Sequence, residues 1–190
     1  MPPKPKFSRR EIIDTALNIV IEKGPDALTA RALGERLGSS ARPIFTVFES
    51  MDDVQKEVVS SAEKIYDGYI AEGLKEELAF KGVGKAYIRF ALEQPKLFRL
   101  LFMRERDKVY GINNVIDSID HNKNIILGSI EKGYSLPKEK AMKLYTHMWI
   151  YSHGIAVLLA TDMCTFSENE ISDMLTSVFV GLLKKSLSEG

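Results

Sequence analysis

The chain has 190 residues, 45% of them hydrophobic and 27% charged, with 26 Lys and Arg set against 26 Asp and Glu. That is a globular composition, long enough to bury one large core or two small ones. Its longest apolar run, Ile155 to Ala160, falls far short of the roughly 20 residues of a membrane span, and its single cysteine, Cys164, excludes an internal disulfide and a thiolate zinc cluster.

From Ser8 to Lys23 the positions Ile12, Ile13, Ala16, Leu17, Ile19 and Val20 share one helical face, and Ser8 with Glu11 forms a capping box. Gly24-Pro25 ends that helix. Thr29 is a fitting N-cap for a short second helix, Ala30 to Leu37, closed by Gly38. Ser39-Ser40 opens a third, expected to run to about Phe48 with Ile44, Val47 and Phe48 inward. Ser50 with Asp53 caps a long fourth helix striped by Val54, Val58, Ala62, Ile65 and Tyr69.

Further helices are expected over Val83 to Leu92, Leu97 to Met103, and Ile112 to about Lys132 with Gly133 as its stop. Ser135-Leu136-Pro137 starts a long helix to Ala160, apolar on several faces and therefore sandwiched. Ser167 and Glu170 form a second capping box ahead of a final helix carrying Ile171, Leu175, Val178, Phe179 and Leu182. No run of alternating β-branched residues bounded by turns occurs, so the fold class is all-α.

The zero net charge hides an asymmetry. Residues 1–50 hold eight basic and six acidic side chains, and the first ten hold Lys4, Lys6, Arg9 and Arg10 with no acid. This permits a nucleic-acid partner without establishing one. The basic amino terminus is not followed by an apolar stretch, which predicts no secretory signal and a cytoplasmic chain.

Enzyme signatures are weak. Gly82-Val83-Gly84-Lys85 lacks the earlier glycine and the following Ser or Thr of a phosphate loop. His147 and His153, six residues apart, do not share a helix face and cannot chelate a metal as an i, i+4 pair does. No G-x-S-x-G elbow is present. Cys164 near His153 and Asp162 is a packed thiol rather than a nucleophile. No catalytic residue, metal site or cofactor is assigned.

Two short helices joined by Gly38-Ser39-Ser40 behind a longer one have the proportions of a DNA-binding helix-turn-helix. Mutual burial of their apolar faces leaves Ala41, Arg42, Phe45 and Thr46 outward. Arg42 suits guanine or phosphate, Thr46 offers a hydroxyl or methyl to a base edge, and Phe45 suits sugar or a thymine methyl. Thr29 and Ser40, at helix N-termini, suit phosphate oxygens. A small helical bundle with no nucleic-acid role has the same pattern.

Ile12-Ile13-Asp14-Thr15-Ala16-Leu17, Glu22-Lys23-Gly24, Leu28 to Gly38 and Ile44-Phe45-Thr46-Val47-Phe48 resemble, in order and spacing, the amino-terminal domain of TetR-type transcriptional repressors. Gln94-Pro95-Lys96-Leu97-Phe98-Arg99-Leu100-Leu101-Phe102 and Trp149-x-x-x-His153-Gly154 resemble a regulatory domain of some members, named for its Trp-His-Gly signature. This chain departs from the family by carrying Ala41, Phe45, Val47 and Met51 where members usually place polar groups. Phosphate affinity then leans on Thr29, Arg31, Ser40, Arg42 and the arm from Lys4 to Arg10. Pro43 also biases Arg42 away from helical dihedrals, so the recognition helix is expected to begin at Pro43.

The resemblance implies a helix-turn-helix domain over residues 1–50, then a helical regulatory and dimerisation domain over 51–190 that encloses an effector cavity. Tyr145, Trp149 and His153 stand one turn apart on one face, and Tyr87, Phe90, Phe98 and Phe102 are the other expected wall residues. Ile171, Leu175, Val178, Phe179 and Leu182 are expected at a homodimer interface. The implied function is a ligand-responsive repressor, released from a pseudo-palindromic double-stranded operator by a small apolar or amphipathic effector. The alternatives are a helical enzyme or small-molecule carrier with a helix-turn-helix-like bundle, and an interaction scaffold with a large exposed apolar patch.

Overall fold

The computed structural model describes residues 5–103, 111–119 and 121–188, and among these every regular element is helical. By its internal contacts the chain divides into two units: Met1–Ile65 with Lys96–Arg104, and Tyr66–Pro95 with Glu105–Gly190.

The first unit begins with α1 (Arg9–Lys23), whose capping box is closed in both directions. Ser8 Oγ accepts from the Glu11 N–H at 3.2 Å, and the Ser8 N–H donates to Glu11 Oε2 at 2.7 Å. The Ser8 N–H, and after it the Ser8 hydroxyl, which donates to the same carboxylate oxygen at 2.7 Å, hold the Glu11 carboxyl below its ordinary range. Ile12, Ala16, Ile19 and Val20 are buried, the i, i+4, i+7, i+8 face of an amphipathic helix. Gly24 ends it at φ +90°, a conformation that glycine takes without a Cβ clash. A 3₁₀ turn, Pro25–Ala27, leads to α2 (Ala30–Arg36), where Thr29 Oγ1 accepts from the Ala32 N–H at 3.1 Å.

The expected third helix is the first departure. Only Ile44–Thr46 is regular, and it is a 3₁₀ turn. Ile44 N–H bonds Ala41 O and Val47 N–H bonds Ile44 O at i to i+3 spacing, while the Phe48 N–H shares the Ile44 carbonyl in a single i to i+4 bond. Pro43 is itself compatible with a first helical turn but disfavours helical dihedrals at Arg42, so no helix runs from Ser40 through Arg42 into this segment. Close packing also fixes the turn. A Cβ on Gly34 would lie 2.8 Å from Ala41 N and from Ser40 C, so only glycine lets α2 approach so near.

Helix α3 (Met51–Gly73) starts where Ser50 Oγ accepts from the Asp53 N–H at 3.2 Å. Val54, Val58, Ala62, Tyr66 and Ile70 are buried at strict i, i+4 spacing, which moves the stripe from the expected Ile65 and Tyr69 to their neighbours. Its residues through Ile65 belong to the first unit, as does most of α5, which follows α4 (Ala79–Glu93) as Pro95–Phe102.

In the second unit α6 (Ile112–Ile119) and α7 (Lys123–Tyr134) replace the single helix expected over Ile112 to Lys132. The break is at Asn122, whose carbonyl accepts from both Ile125 and Ile126 and so begins a new helix. Helix α7 passes through Gly133, and Ser135 takes the left-handed conformation at φ +51°. Helix α8 (Lys138–Ala160) packs against α4, α6, α7 and α9 (Glu168–Ser188), which explains why it is apolar on several faces. The Ser167–Glu170 capping box forms as expected. Where α3 meets α4, a Cβ on Gly82 would fall 2.2 Å from the Gly73 carbonyl oxygen, so two backbones touch through a glycine pair. The glycines of Gly82-Val83-Gly84-Lys85 are thus helical, and Gly82 serves packing.

Candidate functional site

In the first unit Thr29, Arg31, Ser40, Arg42, Phe45 and Thr46 are exposed and Ala41 is half-buried, while Leu33, Gly34, Ile44 and Phe48 form the interior beneath them. Of the expected outward set, Arg42, Phe45 and Thr46 are exposed and Ala41 is only half-exposed, and only Phe45 and Thr46 stand on the 3₁₀ turn itself. Phe45 is 45% exposed, a large cost in apolar hydration for a ring with no structural duty. Thr46 Oγ1 donates its proton to Pro43 O at 2.7 Å, so it meets a partner as an acceptor or through its methyl group. Arg42 makes no ion pair among the described residues, whereas Arg31 is held by Glu35 at 2.9 Å and must exchange it to reach phosphate. Lys6 Nζ donates to Ser39 Oγ at 3.1 Å, which lays this part of the basic arm beside the turn; Lys4 lies outside the described residues.

The second unit encloses a cavity of about 310 Å³. Its deep wall is buried: Tyr66, Val83, Tyr87, Tyr145, Met148, Ser152 and Leu175. The lining also holds Leu78, 55% exposed, Val180, 39% exposed, and the half-buried Lys81. The rings brace one another. Phe179 lies 5.8 Å from Phe80 and 5.0 Å from Tyr134, and Tyr87 meets Tyr66 edge-on at 6.0 Å. Such a wall favours an apolar body, and Ser152, Thr176 and the tyrosine hydroxyls supply a few polar contacts.

Of the expected wall residues, Tyr87, Tyr145 and Trp149 line this cavity. His153 does not. It stacks behind Trp149 at 5.0 Å, nearly parallel, and its Nδ1 lies 2.8 Å from the Tyr87 hydroxyl, so it positions two wall residues. Phe90 is fully buried against Tyr66 and Tyr69. Phe98 and Phe102 pack on each other at 5.0 Å in the first unit and are no part of the lining. Lys96 Nζ donates to the Glu22 carbonyl, which ties α5 to the end of α1. Of the expected interface residues, Ile171 and Leu175 are buried within the unit, Leu175 and Phe179 line the cavity, and Val178 and Leu182 are half-buried.

Tyr66, Phe80, Lys81, Met148 and Ser152 were not singled out by sequence. Tyr66 follows Ala62 by one turn, and Ser152 follows Tyr145 by two, so extending those helical faces finds both. Phe80 and Lys81 carried no periodic signal. Among the described residues no group of three His, Cys, Asp or Glu side chains is placed to hold a metal ion. No described helix is long and apolar enough to cross a membrane.

Burial holds the His153 imidazole below its ordinary value of 6.5. Above that pH the folded and unfolded chains are both neutral at this site; below it the unfolded chain protonates first, so stability falls as pH drops. Thermal unfolding of wild type is therefore expected to lose more stability between pH 7.5 and 5.5 than His153→Gln does. Identical pH dependence in the two proteins excludes this role for His153.

A helix-turn-helix with an exposed Arg, Phe and Thr turn, joined in one chain to a helical unit around an apolar cavity, defines a DNA-binding regulatory protein. Comparison with known proteins agrees. Residues 12–58 match the model of bacterial regulatory proteins of the tetR family, and residues 80–180 match the tetracyclin repressor-like C-terminal domain. A similar protein is YobS of Bacillus subtilis (strain 168), an uncharacterized HTH-type transcriptional regulator, 23% identical over 182 residues that cover 94% of this chain and 92% of the relative. The chain belongs to the tetR family of transcriptional regulators.

Proposed function

We propose that the protein is a homodimeric repressor that a small molecule releases from a pseudo-palindromic operator. The observation that carries this is the course of α3. It begins at Met51, five residues beyond Thr46 of the reading turn, and continues unbroken to Gly73, placing Tyr66 in the cavity wall. An effector that displaces Tyr66 acts on the helix that follows the turn. It alters operator affinity only as far as it binds the two arrangements differently. The amino-terminal fifty residues read DNA, and α8 and α9 pair two subunits through apolar positions they leave uncovered, the exposed Ile150 and Leu187 and the half-buried Val178 and Leu182. The chemistry proposed is binding, without catalysis or cofactor.

Selection of bound sequences from random duplex DNA tests the arrangement. Two inverted half-sites with centres about one helical turn, roughly 34–36 Å, or a multiple of it apart are expected. A single, asymmetric half-site contradicts the dimer.

A further inference from the structure

Resting on the cavity proposed above as the effector site, we infer that its ligand is an amphiphile with one carboxylate-type anionic head and an apolar body, and that Lys81 binds the head. Three observations converge. Lys81 is the one charged side chain among the described residues of the lining, and no acid accompanies it. It makes no ion pair among the described residues, so no carboxylate among them neutralises it. The lining is also graded in burial: Tyr66, Tyr87 and Tyr145 are all but excluded from solvent, while Leu78 and Val180 are exposed and Lys81 is half-buried.

A half-buried ammonium repels a cationic head and leaves a neutral one without compensation, but it gains a charge-assisted hydrogen bond from a carboxylate. The deep aromatic wall takes the chain or ring that follows. Glu76 and Glu77, the acids nearest in sequence, are exposed and outside this lining, so they do not neutralise the site. Gly84 keeps the space open. A Cβ there would touch Leu175 Cδ1 and Ser152 Oγ at 3.9 Å, and a larger side chain projects into the cavity.

Decanoate, decanol and decylamine share one chain and differ in the head. Titrated below their aggregation limits against the fluorescence of Trp149, the only tryptophan, decanoate is expected to bind about tenfold or more tighter than decanol, and decylamine weakest. Lys81→Met, which keeps the apolar stem, removes the advantage of decanoate and leaves decanol affinity unchanged. Gly84→Leu, checked for wild-type helicity and cooperative unfolding, loses binding of all three. Equal affinities for decanoate and decanol, an advantage that survives Lys81→Met, or no binding by decanoate overturns the anionic head. Undiminished binding to folded Gly84→Leu places the probes elsewhere and overturns the cavity itself as the effector site.

Discussion

Arg42→Ala is expected to weaken binding to the preferred operator by about 1–3 kcal/mol per half-site, and by about 2–6 kcal/mol for a dimer holding both. Arg42 is exposed two residues before the 3₁₀ turn and has no ion-pair partner among the described residues, so under the proposed function its guanidinium meets DNA without breaking an ion pair. Phe45 and Thr46 flank it with an apolar ring and an acceptor-only hydroxyl, so most of the charge-assisted contact falls to one side chain. If Arg42 reads a base edge, the loss is greatest on the preferred sequence and preference relaxes at one position. A loss equal across all sequences makes it a phosphate contact instead. Arg36, held by Glu22 through a bond of 2.7 Å, serves as the control and its alanine variant should bind nearly as wild type.

The second large effect separates two glycines of one helix. Gly82→Ala puts a Cβ 2.2 Å from a backbone carbonyl oxygen, which no rotamer change relieves, so α3 and α4 must part. Overpacking of this kind costs about 1–3 kcal/mol and more when backbone must move. Gly84→Ala meets only ordinary contacts at 3.9 Å and gains helix propensity, so a stabilisation of about 0.5–1 kcal/mol is expected. Chemical denaturation of the two variants should thus shift in opposite directions. A tolerated Gly82→Ala refutes the glycine contact between these helices.

Capping chemistry and strong periodicity made most elements legible before any coordinates. Ser8–Glu11, Thr29, Ser50–Asp53 and Ser167–Glu170 all begin helices where local hydrogen bonds dictate. The reading turn was legible as a surface and less so as a conformation, because the backbone effect of Pro43 competes with the packing of Ile44 and Phe48. Within the cavity, the Tyr145–Trp149 face followed from helical spacing. Phe98 and Phe102 were expected there because a family motif joins them to the Trp-His-Gly segment, but order along a motif does not fix which side of a helix faces which core. The amphipathic α5 buries Leu97, Phe98 and Leu101 in the first unit. Lys81 was illegible in principle: a lone lysine in a helix is normally solvated, and only the assembled walls make it exceptional.

The coupling between cavity and operator is tested most directly by linkage. Trp149 fluorescence is titrated with decanoate in the absence and in the presence of saturating operator, and operator binding is measured with and without saturating decanoate. Operator should weaken decanoate binding by the same factor by which decanoate weakens operator binding, a factor above one. An operator affinity unchanged at decanoate concentrations that saturate the Trp149 signal would contradict the release of this protein from DNA through its cavity.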